Sequence, residues 1–305
     1  MKHTIRKWIS VLLALVMTAT VFSFAASAAS PKKYKVYTSL GASIAAGLML
    51  PDYKDKQEGD RHIVMNERVE GSYPAIVSDS IGATTTNYLA QPGLRTRDLR
   101  MLLDPTYEGD SITKNKLGGL TKNVAGVKED VDYSQQTMEQ QRKTDIVAVS
   151  QSDLVTLDIG MNDSMITMMG VLSDFENLDK IGQLRDALSY ILNDWKTDYK
   201  AIVDRIYTLN PDVTIVAVGN YNPFRQWKVP GGASVGDLVQ WYYDSMNEYK
   251  ASLAKEYGGK LKFAPVPETD LNAGDIKTIA DTKKIDFHPT ADGHRYMAEQ
   301  ILAVL

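Results

Sequence analysis

Short runs of strand-forming residues alternate with helical patterns along this chain. Five runs are rich in Val, Ile, Thr or Tyr and most end at or near Gly, Pro or Asn, as buried strands do. They are residues 34–40, 84–89, 154–159, 213–218 and 261–265. Helical patterns follow at residues 73–81, 184–209, 235–257 and 291–305. This alternation predicts an α/β fold whose parallel sheet of about five strands is covered by helices on both faces.

Two polar stretches interrupt the alternation. Residues 51–71 and 104–144 are rich in Asp, Glu, Lys, Gly and Thr. Because neither stretch is long enough or apolar enough to form a core of its own, we interpret both as surface excursions. Residues 31–305 are therefore expected to form a single domain, and the excursions could form a rim or lid over a site.

The first 28 residues have the pattern of a secretory signal peptide. Lys2, Arg6 and Lys7 form a basic head, an apolar run covers residues 9–25, and small residues follow at 26–28. The alternative is an uncleaved membrane anchor, but the run is short and ends in Ala and Ser rather than in charges. The sequence therefore predicts cleavage after residue 28 and a secreted protein.

Composition excludes several classes of function. Loss of the three cationic residues of the signal peptide changes the net charge from −4 to −7. An acidic chain is repelled by nucleic acid and by an anionic membrane, so we expect neither as a partner. We also expect no stable membrane insertion after cleavage. The chain has no cysteine, which excludes disulfides, a thiol nucleophile and thiolate metal sites. No metal-binding or phosphate-loop motif is found, so we expect no metal and no cofactor.

Four short motifs lie at or after the predicted strand ends or in the last loop. They are residues 40–47 (LGASIAAG), 91–94 (QPGL), 158–163 (DIGMND) and 286–289 (DFHP). A serine hydroxyl becomes a nucleophile when a base such as a histidine takes its proton. Ser43 and His288 are the candidates for these two roles. The backbone N–H groups of Ser43 and Gly93 and the side-chain amide of Asn162 are candidate donors to an oxyanion.

At these residues the chain resembles the SGNH hydrolases, also called the GDSL esterase/lipase superfamily. That family is named for one Ser, Gly, Asn and His in four separated blocks, which correspond here to Ser43, Gly93, Asn162 and His288. The resemblance extends over residues 39–289. It implies a flavodoxin-like three-layer α/β/α fold and hydrolysis of a carboxylic ester through an acyl-enzyme on Ser43.

Two positions depart from the family pattern. The Asp that usually precedes the nucleophile is Ala42 here, which predicts altered anchoring of the loop rather than loss of activity. The family also places an Asp three residues before the histidine, where this chain has Ile285. Asp286, two residues before His288, is the favoured acceptor for the second ring nitrogen, and a main-chain carbonyl is the alternative.

Neighbouring polar residues offer competing interpretations. Asp292 and His294 are two residues apart on a predicted helix and so lie on different faces, which makes His294 a weak candidate for the base. Asp163 is expected to have a structural role near the site, for example as a helix cap.

Three functions are compatible with the motifs. The first is a secreted carboxylic-ester hydrolase of the esterase or lipase kind, and the second is a polysaccharide O-acetyl esterase. The third is a catalytically inactive surface-binding protein that has kept the fold, because a fold alone does not determine function.

Overall fold

A computed structural model of the chain contains the expected five-stranded parallel sheet. It describes residues 34–53, 56–58, 61–63, 67–109, 135–172, 179–228, 234–268, 270–277, 281 and 284–305. The seven strands of this part of the chain are β1 (Val36–Gly41), β2 (Lys56–Glu58), β3 (Arg61–Ile63), β4 (Thr85–Tyr88), β5 (Leu154–Asp158), β6 (Thr214–Val218) and β7 (Leu261–Ala264). The large sheet has the order β4-β1-β5-β6-β7 with all neighbours parallel. Strands β2 and β3 form a separate antiparallel pair. Residues 1–28, the expected signal peptide, lie outside the described residues.

The helices over the described ranges include all four that the sequence predicts. They are α1 (Ser43–Ala46), α2 (Tyr73–Ile81), α3 (Thr96–Leu103), α4 (Gln135–Gln151), α5 (Met161–Leu172), α6 (Asp179–Leu209), α7 (Val235–Glu256) and α8 (Ala291–Val304). Helix α2 has its predicted bounds, α7 and α8 each end one residue earlier, and α6 begins five residues earlier. The sequence pattern does not predict the other four helices, which are α1, α3, α4 and α5.

The last ten residues of the polar stretch 104–144, which we interpret as a surface excursion, are helical. These residues are the first part of α4, which continues to Gln151. Ala148 and Val149 in the second half of α4 are buried. Its first half is polar, so the apolar stripe that identifies an amphipathic helix is missing there. Arg142 attaches this half to α3 by donating to the carbonyl of Met101 at 3.2 Å.

Helices pack in two groups around the sheet. Helix α6 packs against α3, α4, α5 and α7, and α2 packs against α8. Every residue of β5 and of β6 is buried, as expected for central strands of a parallel sheet. The chain runs from β1 to β4 on one side and returns to β5 on the other side of β1. In an open α/β sheet, ligands bind at the carboxyl ends of strands where the order reverses in this way.

Candidate active site

Ser43 follows directly after the carboxyl end of β1. Gly41, the last residue of β1, pairs with Asp158 of β5, and the backbone N–H of Ala42 donates to the Asp158 carbonyl at 3.1 Å. A Cβ atom on Gly41 would lie 2.4 Å from that carbonyl oxygen, so only glycine fits this approach. Ser43 then begins the short helix α1. Its backbone N–H is in the first turn, where no intrahelical acceptor exists.

His288 connects Ser43 to Asp286 through its two ring nitrogens. Its Nε2 lies 2.8 Å from Ser43 Oγ, and its Nδ1 lies 2.5 Å from Asp286 Oδ1. The same carboxylate oxygen accepts the backbone N–H of His288 at 2.7 Å. The Asp286 side chain therefore folds back over its own turn, which is how an Asp only two residues away reaches the ring. Of the two acceptors considered from the sequence, the structure places the carboxylate at Nδ1.

Asp286 is half-buried, and its contacts with His288 determine the direction in which its pKa shifts. Burial alone would raise the pKa of this carboxyl group. The hydrogen bonds and the positive charge that His288 offers outweigh burial and hold the pKa of Asp286 below its ordinary value. Asp286 is therefore ionised near neutral pH and can accept a hydrogen bond from the Nδ1–H group of the ring.

The two remaining motifs are connected to the nucleophile by hydrogen bonds. Gly93 lies in a turn that is closed by Leu94 N donating to Gln91 O, and Gln91 N donates to the Gly41 carbonyl at 3.0 Å. Gly93 has a φ of +79°, a left-handed conformation that favours glycine. Asn162, in the first turn of α5, donates from its side-chain amide to Leu94 O at 2.9 Å. The turn that carries Gly93 is thus attached both to the end of β1 and to Asn162.

Asp163 supports a neighbouring helix. Its carboxylate accepts the backbone N–H of Thr96 at 3.0 Å and the Thr96 hydroxyl at 2.9 Å. Burial raises the pKa of Asp163 to about 7, with the Thr96 hydrogen bonds opposing the shift. The contacts confirm a structural role, although the helix that Asp163 holds is α3 and not the helix on which it lies.

The ring of His294 is hydrogen-bonded to the start of α2 rather than to Ser43. Its Nδ1 accepts the backbone N–H of Tyr73 at 3.3 Å, which connects α8 to the start of α2. The side chain is fully buried, and burial lowers its pKa to about 4. Among the described histidine side chains, only that of His288 contacts Ser43.

Two buried ionisable groups, Asp158 at the end of β5 and Lys250 of α7, influence each other's pKa. Burial raises the pKa of Asp158 to about 6, and the charge of Lys250 opposes the shift. Lys250 is fully buried, and burial lowers its pKa to about 8. Its Nζ donates to Val218 O at 2.6 Å and to Asn220 Oδ1 at 2.5 Å. The burial of Lys250 has no signal in the sequence, because a lysine in an amphipathic helix is normally on the solvated face.

Clusters of three or more metal ligands and membrane-spanning helices are both absent from the described part of the chain. No group of three or more His, Asp or Glu residues in it is placed to hold a metal ion. None of the described helices combines the length and apolar character needed to cross a membrane.

A serine, a histidine and a carboxylate hydrogen-bonded in series at the carboxyl ends of a parallel sheet define a site of the serine-hydrolase type. The match to a family model agrees with this class. Residues 39–296 match the GDSL-like Lipase/Acylhydrolase family, and the chain belongs to that family. It is a carboxylic-ester hydrolase of the GDSL, or SGNH, type.

Solved structures of lipases share the fold. An extracellular lipase from Streptomyces rimosus superposes with a TM-score of 0.53 at 19% identity, over 89% of this chain and 100% of the lipase. A phospholipase A1 from Streptomyces albidoflavus gives 0.53 at 13% identity over 89% and 100% of the two chains. A lipase from a goat rumen metagenome gives 0.50 at 14% identity over 88% and 96%. At these identities the likeness establishes the fold alone. A sequence search among curated proteins found no match.

Proposed function

We propose that this protein hydrolyses carboxylic esters through an acyl-enzyme on Ser43, with His288 as the base and Asp286 as the acceptor that orients it. The observation that carries the proposal is the continuous hydrogen-bonded series from Ser43 Oγ through both ring nitrogens of His288 to Asp286. The carboxylate at Nδ1 fixes the ring tautomer with the proton on Nδ1, so that Nε2 is free to accept the proton of Ser43.

In the first half of the reaction, Ser43 Oγ attacks the carbonyl carbon of the ester while its proton passes to His288 Nε2. The resulting tetrahedral intermediate expels the alcohol as His288 returns the proton to the leaving oxygen. In the second half, water gives a proton to the same nitrogen and attacks the acyl-enzyme. Collapse of the second intermediate releases the carboxylic acid and restores the Ser43 hydroxyl.

The negative oxygen of each intermediate needs donors that are already in position. We assign these to the backbone N–H groups of Ser43 and Gly93 and to the side-chain amide of Asn162. The Asn162 amide has two N–H groups and uses one of them on the Leu94 carbonyl, so the second is the donor assigned to the oxyanion. Loss of one such donor commonly costs about 10²- to 10³-fold in rate.

We also propose that residues 1–28 are removed and that residues 31–305 act outside the cell as a single domain on ester substrates. The basic head, short apolar run and small residues at 26–28 support export. The acidic balance of the mature chain supports small ester substrates rather than nucleic acid. N-terminal sequencing of protein secreted from the full-length gene tests the cleavage point, and an intact N-terminus on the exported protein would contradict it.

Ser43→Ala tests the nucleophile. We expect hydrolysis of p-nitrophenyl butyrate to fall by about 10³-fold or more and labelling by a fluorophosphonate probe to disappear. Ser78→Ala is the matched control, because Ser78 is equally buried and its hydroxyl makes a hydrogen bond to Thr86 Oγ1 at 2.7 Å. Turnover by a folded Ser43→Ala variant at the rate of the Ser78→Ala variant would overturn the proposal.

A further inference from the structure

The loop after β6 contacts the segment that carries His288. Tyr221 of this loop is buried, and its hydroxyl donates to the carbonyl of Phe287 at 2.5 Å. That carbonyl belongs to the same peptide group as the backbone N–H of His288, which donates to Asp286. The peptide before His288 is therefore held on one side by Asp286 and on the other by Tyr221, which fixes the direction in which the imidazole leaves the backbone.

Aromatic packing adds a second contact between the same two segments. The ring of Phe224, also in the loop after β6, lies 6.2 Å from the ring of Phe287. The Phe287 ring is stacked on the His288 imidazole at 4.4 Å with an interplanar angle of 27°. The loop thus restrains both the backbone before His288 and one neighbour of its ring.

The loop itself is held by helix α7. Asn247 accepts the backbone N–H of Asn220 at 2.8 Å and donates to the Asn220 carbonyl at 2.9 Å. The ammonium of the fully buried Lys250 donates to Asn220 Oδ1 and to the Val218 carbonyl. Hydrogen bonds to an ion are stronger than neutral ones, so the residue before Tyr221 has little freedom to move.

We propose that Tyr221 is a positioning residue of the reaction, which holds the His288 imidazole between Ser43 and Asp286 through the Phe287 carbonyl. The inference rests on the proposed function, because it assigns to Tyr221 an effect on the base of that mechanism. Burial raises the pKa of Tyr221 well above its ordinary value, so the hydroxyl keeps its proton and stays a donor at any assay pH.

The segment keeps other attachments when this hydroxyl is lost. Thr290 N donates to the Leu271 carbonyl at 2.8 Å, and Asn272 pairs with Pro289 as an isolated bridge. We therefore expect Tyr221→Phe to fold and to alter the placement of the ring rather than the fold of the segment. A displacement of about 1 Å at a catalytic group can cost on the order of 10²-fold in rate.

The experiment compares Tyr221→Phe with Tyr37→Phe in single-turnover acylation by p-nitrophenyl butyrate. Tyr37 is the matched control, since it is fully buried and its hydroxyl makes one hydrogen bond, to Thr156 Oγ1 at 2.8 Å. We expect Tyr221→Phe to lower the saturating acylation rate by about 10- to 100-fold. The substrate concentration for half-saturation should stay within about twofold, and Tyr37→Phe should change neither quantity by more than about twofold. An acylation rate for Tyr221→Phe equal to that of the control would overturn the inference.

A double-mutant cycle separates positioning of His288 from a general structural role. In a His288→Ala background there is no imidazole to position, so adding Tyr221→Phe should change the residual rate by less than about twofold. An equal loss in both backgrounds would show that Tyr221 acts on the fold instead and would overturn the inference. Failure of the proposed function has a different signature, namely retained turnover in Ser43→Ala, whatever Tyr221→Phe does.

Discussion

Replacement of Asp286 by Asn tests what orients His288. In the native site one carboxylate oxygen accepts both the Nδ1 proton and the backbone N–H of His288. An asparagine can keep the backbone contact with its own oxygen, but it has no charge to stabilise the imidazolium that forms when Ser43 loses its proton. If the amide nitrogen turns toward Nδ1, the proton of the ring moves to Nε2, and the ring can no longer accept the serine proton.

The expected magnitude follows from the distance and the exposure of the carboxylate. Two unit charges about 4 Å apart near a protein surface interact by about 4 kcal/mol. Because the Asp286 side chain is 35% exposed, solvent screening reduces this figure, and we expect a loss of about 2–4 kcal/mol of transition-state stabilisation. At about 1.4 kcal/mol for each factor of ten, kcat should fall by about 30- to 1000-fold.

The assay is hydrolysis of p-nitrophenyl butyrate at about pH 7.5, where an ordinary carboxyl group is ionised. Asp292→Asn is the control, because Asp292 is an acidic residue of the following helix whose side chain is 85% exposed and paired with Arg295. It should leave kcat within about twofold, as surface ion pairs contribute little. If Asp286→Asn matched this control, a carboxylate would not be needed at Nδ1, and a dyad of Ser43 and His288 would explain the activity.

Three buried groups give predictions for the free energy of unfolding, measured by urea denaturation across pH. Burial raises the pKa of Asp145 to about 8, so the native state keeps a proton that the unfolded chain loses above about pH 4. The free energy of unfolding therefore falls by on the order of 5 kcal/mol as the pH rises from 4 to 8. Asp145→Asn should remove this loss. The lowered pKa of His294 acts in the opposite sense, because the free energy of unfolding falls by up to about 3 kcal/mol as the pH drops from 6.5 to 4. His294→Asn should remove this part of the pH dependence. Lys250→Met should cost about 1–3 kcal/mol near pH 7, because it removes the charged hydrogen bonds to the Val218 carbonyl and Asn220 and the charge that opposes the raised pKa of Asp158. The cost should be smaller near pH 5, where Asp158 is neutral, and an equal cost at both pH values would contradict an electrostatic interaction between Lys250 and Asp158.

The central strands are predicted well because they bury apolar side chains along most of their length. Residues 154–159 and 213–218 are mostly apolar, with Thr156, Asp158 and Thr214 as their polar members, and the structure has β5 and β6 there with every residue buried. Helix α2 was found with its bounds because Ser72 caps its start, Pro74 suits its first turn and Gly82 ends it. The first half of α4 was missed because its residues are polar and their pattern is that of a loop.

In the candidate site, features that are local in the sequence could be predicted, whereas contacts between residues far apart in the sequence could not. The four motifs could be identified because each is short and lies after a predicted strand or, for residues 286–289, in the last loop before the final helix. The groups that support them are joined by contacts across the fold: Asp163 binds Thr96 at a separation of 67 residues, and Tyr221 binds Phe287 at a separation of 66. A single sequence carries no signal for such pairs, since side chains of ordinary type become partners only when the sheet brings their strand ends together.

The departure at Ala42 is best understood from the backbone around it. Alanine offers no side-chain acceptor to the first turn of α1, and none is observed at this cap. The loop is held instead by main-chain hydrogen bonds, from Ala42 N to the Asp158 carbonyl and from Gln91 N to the Gly41 carbonyl. The first depends on the close approach of Gly41 to the Asp158 carbonyl, and neither needs an aspartate at position 42. The prediction of altered loop anchoring thus has a physical basis, and because Ser43 still lies 2.8 Å from His288, Ala42 gives no support to a catalytically inactive protein.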